Sequence, residues 1–355
     1  MTSTNRYLPP DTVNALLNEL GDAMPLITIG KSVNGLPIYG LKLGQGKTKV
    51  LLWSQMHGNE STTTRAIMGL LGDFKAGKHS EILNQLSLYI IPQLNPDGAK
   101  AYTRYNANAV DINRDAVALT QPESLALKNV FDQFQPHFCF NLHGQRTIFA
   151  AGKNGKPATL SFLSPAADDS KVITAARLKA MQLIAAINDS LQQDIPGHIG
   201  RYDDTFNINC VGDLFTSLDV PTILFEAGHY PEDYDRDKTL KFIRNAIIIA
   251  LNSIAEENYF HFSVQQYQNI PENSKDYVDV IIEGVTIKEG DKIYNDQLLA
   301  VQHQEVLIDN KILFQPKCVA YGKKLDLIGH QKLSITELKI NTLIDFEVEK
   351  TIEIF

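Results

Sequence analysis

The sequence predicts an α/β fold: a mixed, mostly parallel sheet with helices on both faces, followed by a small C-terminal β-rich domain. Three observations carry this. Strand-length apolar runs recur along the chain, namely KVLLWS (49–54), LSLYIIP (86–92), HFCFNL (137–142) and PTILF (221–225). Each is apolar throughout rather than alternating, as a strand covered on both faces requires. Segments of helical period lie between them. After a composition shift near Tyr259–Lys275 the helical pattern stops, and short or alternating segments punctuated by Gly and Asn-Asp take over.

In chain order, residues 11–20 read as a short amphipathic helix, with Asp11 as N-cap behind Pro9 and Pro10. Leu26–Ser32 and Pro37–Leu43 are extended, and Asn34-Gly35 between them signals a hairpin. Helices are expected over Ser61–Lys75, Pro122–Phe134, Ala175–Leu191 and Asp237–Glu256. Strands are expected in the tail at Tyr277–Thr286, Lys292–Ala300 and Glu305–Ile308. A length of 355 residues accommodates one large domain and a smaller one. The expected division is 1–262 for a catalytic domain and 263–355 for a β-rich accessory domain.

Bulk properties narrow the function class. Apolar residues make up 44% and charged residues 21%, so the chain is ordinary globular protein rather than disordered. A formal net charge of −8 leaves no basic footprint for nucleic acid or an anionic membrane. Cys139, Cys210 and Cys318 are odd in number and far apart, which is no disulfide framework and fits a reducing compartment. The N-terminus, MTSTNRYLPPDTVNALL, lacks a basic region followed by a long apolar one. The longest apolar stretch, around Ala246–Leu251, falls far short of the ~18–20 residues of a membrane span. The expectation is a cytoplasmic protein with neither nucleic acid nor membrane as partner.

The chemistry concentrates in a few motifs. His57-Gly58-Asn59-Glu60 follows the strand KVLLWS directly, where open α/β sheets bind their ligands. His57 and Glu60, three apart across a turn, can aim an imidazole nitrogen and a carboxylate at one point. His143, in FNLHG, sits past a second apolar strand. The bland reading of each is a solvated or hydrogen-bonded side chain. Brought together on one sheet rim, two His and one Glu form the usual ligand set of a zinc peptidase. Between them run Asn95-Pro96-Asp97-Gly98, a turn signal, then Arg104-Tyr105-Asn106 and Val110-Asp111-Ile112-Asn113-Arg114-Asp115. Arg114 beside Asn113 suits bidentate recognition of a substrate carboxylate. Arg104 suits an oxyanion in the transition state. The alternative for both arginines is ion pairing with Asp97, Asp111 or Asp115. Glu226, after the strand PTILF, suits a general base. An N-cap or surface role is its alternative.

Taken in order, HGNE, NPDG, RYNANAVDINRD, FNLHG and LFEAGH resemble the zinc carboxypeptidases of the M14, carboxypeptidase A-like, family. The resemblance runs from about Leu26 to Phe242. It implies one Zn²⁺ per chain, held by His57, Glu60 and His143. It further implies Glu226 as base and acid toward a zinc-bound water, Arg104 as the oxyanion-polarising group, and Asn113 with Arg114 as the grip on a free carboxylate. Asp115 departs from the Asn of many digestive members, and the short stretch between HGNE and His143 is closer to compact bacterial members. Tyr202, in GRYDD, is the best candidate for the mobile Tyr that digestive members carry ahead of the catalytic Glu. Residues between Arg201 and Leu214 are expected to line the specificity pocket. The tail resembles the extra domain of the succinylglutamate desuccinylase and aspartoacylase relatives. Its Gly284–Asp291 resembles a lipoyl-like turn, with no lipoylated lysine expected. The leading expectation is a metallocarboxypeptidase removing a C-terminal residue from a small peptide. The alternative is a deacylase of N-acyl amino acids, and the third reading an inactive binding module.

Overall fold

The strand runs pair as their two-sided apolarity requires. The computed structural model describes residues 6–21, 24–335, 343–348 and 350–351. Its first part comprises α1 (Pro10–Asn18), β1 (Leu26–Lys31), β2 (Pro37–Leu43), β3 (Thr48–Ser54), α2 (Ser61–Lys75), α3 (Ser80–Gln85), β4 (Leu86–Ile91), α4 (Pro96–Ala101), α5 (Pro122–Phe134) and β5 (Phe138–Gly144). There follow β6 (Ala150–Ala151), β7 (Leu160–Leu163), α6 (Ala175–Leu191), β8 (Ile199–Arg201), α7 (Val211–Ser217), β9 (Thr222–Ala227), α8 (Asp237–Ala255) and α9 (Val264–Gln268). The rest is β10 (Asn273–Ser274), β11 (Tyr277–Glu289), β12 (Lys292–Ile308), β13 (Lys311–Gly322), β14 (Ile328–Ser334) and β15 (Leu343–Asp345).

The main sheet has the order β1-β2-β4-β3-β5-β9-β7-β8. Its centre, β4-β3-β5-β9, is parallel; β1 and β2 join their neighbours antiparallel, and β7 is antiparallel to β9 but parallel to β8. Each central strand divides its side chains between two cores. Val50 and Leu52 of β3 pack with α2, α6 and α8, and Leu51 and Trp53 pack with α5 and α7 on the other face. Phe138, Phe140 and Leu142 against Cys139 repeat the division on β5. Both faces are therefore apolar, which is why no strand alternates in sequence. Phe131 of α5 stacks on Phe215 of α7 at 3.8 Å between centroids, closing the second layer.

Several local readings change. The Asn-Pro-Asp-Gly turn is the start of α4, because Asn95 accepts the Gly98 N–H at 2.8 Å and Pro96 needs no donor there. Pro9, not Asp11, occupies the N-cap of α1, which has no side-chain cap. Helical structure extends past residue 263, where Ser263 and Gln266 form a capping box on α9. Lys292–Ala300 and Glu305–Ile308 belong to one strand, β12, since β13 pairs along its length as far as Ile308↔Lys311. His143 and Glu226 lie inside the last residues of β5 and β9 rather than beyond them.

The second sheet runs β13-β12-β11-β14, with β15 beside β11. Its core includes Val280, Ile282, Val285, Ile287, Leu299 and Val301. It meets the first sheet through buried polar contacts. Asp279, fully buried, accepts the Tyr234 hydroxyl at 2.7 Å, the His303 backbone N–H at 2.6 Å and the Gln302 amide. Gln302 also donates to Thr147 at 2.9 Å, and His330 bonds the Thr147 carbonyl at 2.8 Å. Among the described residues no helix is long and apolar enough to cross a membrane. Replacing Asp279 by Ala leaves these donors without their buried acceptor and is expected to destabilise the protein by ~2–4 kcal/mol. Urea denaturation checks this through the midpoint, and an unchanged midpoint contradicts it.

Candidate metal centre and active-site cleft

The site begins where β3 ends. Gln55 turns the chain with φ at +52° and is held there by bonds to Gly58, Thr64 and Gln93. The next residues run flush against the start of α4. A Cβ on Gly58 would stand 1.9 Å from the Gly98 carbonyl carbon, so both loops need their glycines. This packing directs His57 and Glu60 back toward β5. Parallel pairing sets Trp53 opposite Asn141 and Ser54 opposite Leu142, which brings His143 alongside.

Three donors converge. His57 Nδ1 lies 2.8 Å from Glu60 Oε1, and His143 Nδ1 lies 2.9 Å from Glu60 Oε2. The two imidazole nitrogens are 3.1 Å apart. Both histidines are buried, and the candidate ligand atoms all fall within 4.8 Å of one another. Among the described residues this is the one cluster of three such donors. Two ring nitrogens and a carboxylate oxygen turned on each other are what a small divalent cation holds together, and the set matches that of catalytic zinc. The residues therefore fit Zn²⁺.

The supporting contacts fix the ligands. Asp111 meets His57 Nε2 at 3.1 Å and caps the short turn at Ile112–Arg114 by accepting the Asn113 N–H at 2.9 Å. Its other oxygen takes Arg104 Nε at 3.0 Å and Nη2 at 2.9 Å. Arg104 thus makes the ion pair that the alternative reading foresaw, and its Nη1 still faces Glu60 Oε1 at 3.7 Å. Gly144 donates its N–H to Glu60 Oε2 at 3.0 Å. Asp111 had been visible only as an ion-pair partner for an arginine. Its role beneath His57 follows from a contact between residues 54 apart, which no local spacing encodes.

Electrostatics divides the two carboxylates. Burial disfavours the Glu60 anion, but His57 and His143 outweigh it and hold the group far below the usual range. Burial likewise opposes the His57 cation, yet Glu60 and Asp111 raise its pKa, whereas burial dominates at His143 and lowers it. Glu226 stands opposite His143 in the β5–β9 register. Burial, and then the Glu60 charge, push it well above the usual range, and its Oε2 has no partner among the described residues. A carboxyl of raised proton affinity beside a metal triad has the character of a base and acid.

The remaining predicted residues line the same cleft, of about 840 Å³. Asn113 Oδ1 accepts the Val211 N–H at 3.0 Å. The exposed Arg114 bonds the Asn113 carbonyl at 2.7 Å and Cys210 Sγ at 3.1 Å, with no carboxylate partner among the described residues. Tyr202 reaches the cleft with its ring against Phe149, and burial, Glu226 and Glu60 suppress its ionisation. Of the segment between Arg201 and Leu214, Tyr202, Thr205, Cys210, Gly212 and Asp213 line the cleft. Asp203 bonds Thr205, and Asp204 pairs with Arg177 at 2.6 Å, so both are committed locally. Sequence reasoning missed the far wall, where Gln302, His303, Glu305, Phe314 and Lys317 come from β12 and β13.

Comparisons with known proteins agree with this geometry. Residues 11–171 match the zinc carboxypeptidase family, Peptidase_M14. The chain is 33% identical over 113 residues to a probable carboxypeptidase 2 of Arthroderma benhamiae, which covers 31% of this chain and 21% of that one. It is 29% identical over 140 residues to carboxypeptidase SOL1 of Arabidopsis thaliana, covering 34% and 28% respectively. The chain thus spans about a fifth to a quarter of the length of the first curated relatives it matches. A metallo-carboxypeptidase from Pseudomonas aeruginosa superposes with a TM-score of 0.57 at 16% identity, over 70% of this chain and 69% of that one. Carboxypeptidase A from Helicoverpa armigera gives 0.58 at 17%, over 70% and 74%. The match to the zinc carboxypeptidase model is confined to residues 11–171, and the α/β fold is of the zinc carboxypeptidase type.

Two outcomes follow from the site. Asp111→Ala is expected to weaken zinc binding ~10–100-fold by freeing the His57 ring, as read by competition with a chelator. Wild-type affinity in that variant removes Asp111 from the centre. Asp213, in the cleft, is pushed by burial to about 6. Its folded pKa exceeds its unfolded one, so its favourable contribution is complete below about pH 4 and is lost as pH rises toward 6. Asp213→Asn should flatten that part of the profile and stabilise the protein at neutral pH by up to about 2 kcal/mol, read as a raised melting temperature. A profile parallel to wild type contradicts this.

Proposed function

We propose that the chain is a zinc-dependent carboxypeptidase that removes a C-terminal residue from a short peptide. The observation that carries this is one cleft holding the His57–Glu60–His143 triad, the Glu226 carboxyl with its free Oε2 and the unpaired Arg114. We read residues 1–262 as the catalytic domain and 263–355 as an accessory domain that walls the cleft.

His57, Glu60 and His143 hold the ion. When bound, zinc lowers the pKa of water toward ~7 and polarises a carbonyl as a Lewis acid. Arg114 and the Asn113 side chain grip the terminal carboxylate and set which bond is presented. Arg104, oriented by Asp111, faces the negative charge that develops on the carbonyl oxygen. Glu226 takes a proton from the attacking water and passes it to the leaving amine. Its raised proton affinity serves both halves, since a weak acid keeps the proton until the amine needs it. Tyr202 closes over the substrate from the Phe149 side.

A second reading, a deacylase of N-acyl amino acids, uses the same groups. The wall built by β12 and β13 favours it, because it limits what extends beyond the reacting carbonyl. The three free cysteines support a reducing, cytoplasmic setting for either.

The zinc-loaded protein should hydrolyse short peptides from the C-terminus, and Glu226→Gln should lose ~10³-fold or more in kcat with zinc still bound. Turnover of an acyl amino acid alone selects the second reading. Full activity in the Gln variant overturns the mechanism.

A further inference from the structure

The cleft continues past the triad into a lobe between the two sheets, where two buried guanidinium groups line it. Arg6, Arg236 and Lys317 line it with Glu305. Arg6 and Arg236 are 7% and 2% exposed. Arg6 pairs with Glu305 Oε1 at 2.6 Å, and the other oxygen takes the Tyr102 hydroxyl at 2.5 Å. Arg236 has no carboxylate partner among the described residues. Its Nη2 donates to the Gln145 carbonyl at 3.0 Å and its Nη1 to that of Ala227 at 3.4 Å. The Nε donors of both arginines have no partner.

The nearby acids are already committed. Asp233 accepts from Lys238 N, Thr239 N and Thr239 Oγ1 at the head of α8. Asp279 is taken by Tyr234, Gln302 and His303. Glu305 and Asp279 line the cleft with the two guanidinium groups, and Asp233 and Asp235 act on Arg236 and Arg6 from nearby, but among the described residues only Glu305 touches either guanidinium, and it is taken by Arg6. A buried cation without a directly bonded counter-charge is costly, and burial together with Arg6 outweighs Glu305 and Asp233 and draws Arg236 down to about 10.

The position connects this lobe to the chemistry. Ala227 follows Glu226, and Gln145 is two residues past His143, so Arg236 grips the strand ends that carry the base and a metal ligand. Asn113 and Arg114, the proposed grip on the C-terminal carboxylate, belong to a different part of the cleft. We propose that the lobe of Arg236 and Arg6 is an anion subsite that selects substrates bearing a carboxylate on the portion N-terminal to the scissile bond. A carboxylate supplies the direct partner that Arg236 lacks and matches the planar guanidinium fork. Glu305 and Lys317 come from β12 and β13, so the second sheet completes the subsite. This rests on the hydrolase reading above, and the following experiment separates the two.

The zinc-loaded full chain is given acetyl-Glu-Xaa and acetyl-Gln-Xaa dipeptides, with Xaa varied over the common residues. The Glu series should lead by about 10-fold or more in kcat/KM, and the lead should shrink as salt rises. Arg236→Gln should bring the Glu series down to the Gln series. Lys317→Gln, on the cleft wall, should narrow the lead and keeps the test open where Arg236→Gln does not fold. In a binding arm, glutarate should raise the melting temperature of wild type and do so less in Lys317→Gln. Equal cleavage of both series overturns the subsite and leaves the hydrolase standing. No cleavage, with stabilisation by glutarate that Lys317→Gln weakens, overturns the hydrolase reading and leaves the anion site. Equal cleavage with stabilisation by glutarate or inorganic phosphate means a free anion binds, which overturns the substrate assignment. Neither cleavage nor stabilisation overturns both.

Discussion

The parallel register of β3, β5 and β9 places three chemically different groups at one edge of the sheet. β3 delivers His57 and Glu60 through the turn that follows it, β5 delivers His143, and β9 sets Glu226 directly across from His143. A slip of one residue in either pairing would turn His143 or Glu226 to the opposite face. The apolar side chains behind them enforce the register. Phe140 and Leu142 belong to one core and Cys139 to the other, so the strand cannot shift without exposing both. The hydrophobic division of the sheet and the geometry of the metal centre are thus one constraint.

Burying imidazoles and two carboxylates this close together is tolerable only because each is treated differently. Glu60 is held to the anionic side by two histidines and the Gly144 N–H, while burial and the Glu60 charge push the proton affinity of Glu226 up. The pair resembles other sites in which like charges at close quarters separate in proton affinity. Asp111 ties this arrangement to the neighbouring turn, since one carboxylate contacts His57, anchors Arg104 and caps the turn that carries Asn113 and Arg114.

The second sheet belongs to the same physics. The buried Asp279 anchors it, and β12 and β13 then contribute a cleft wall. The interface is polar rather than greasy, and such contacts reward one docking geometry over its neighbours. Arg6 adds a further tie, from the N-terminal segment to Glu305 of β12.

What the sequence determined by itself was local. Continuous apolar runs identified the central strands, and helical period identified α2, α5 and α6 to the residue. The motifs HGNE, VDINR, FNLHG and LFEAGH identified the groups that the cleft brings together, because strand ends in such sheets open on one side. Short elements without a periodic signature escaped, among them β7, β8 and α7. Only the tertiary structure decided that Arg104 pairs with Asp111, that Asp111 supports His57, and that β12 runs unbroken to wall the cleft. Those outcomes depend on pairings between residues tens to hundreds of positions apart. Periodicity reports which face of an element is buried, but not against what, and the charge balance around Arg236 arises wholly from that second question.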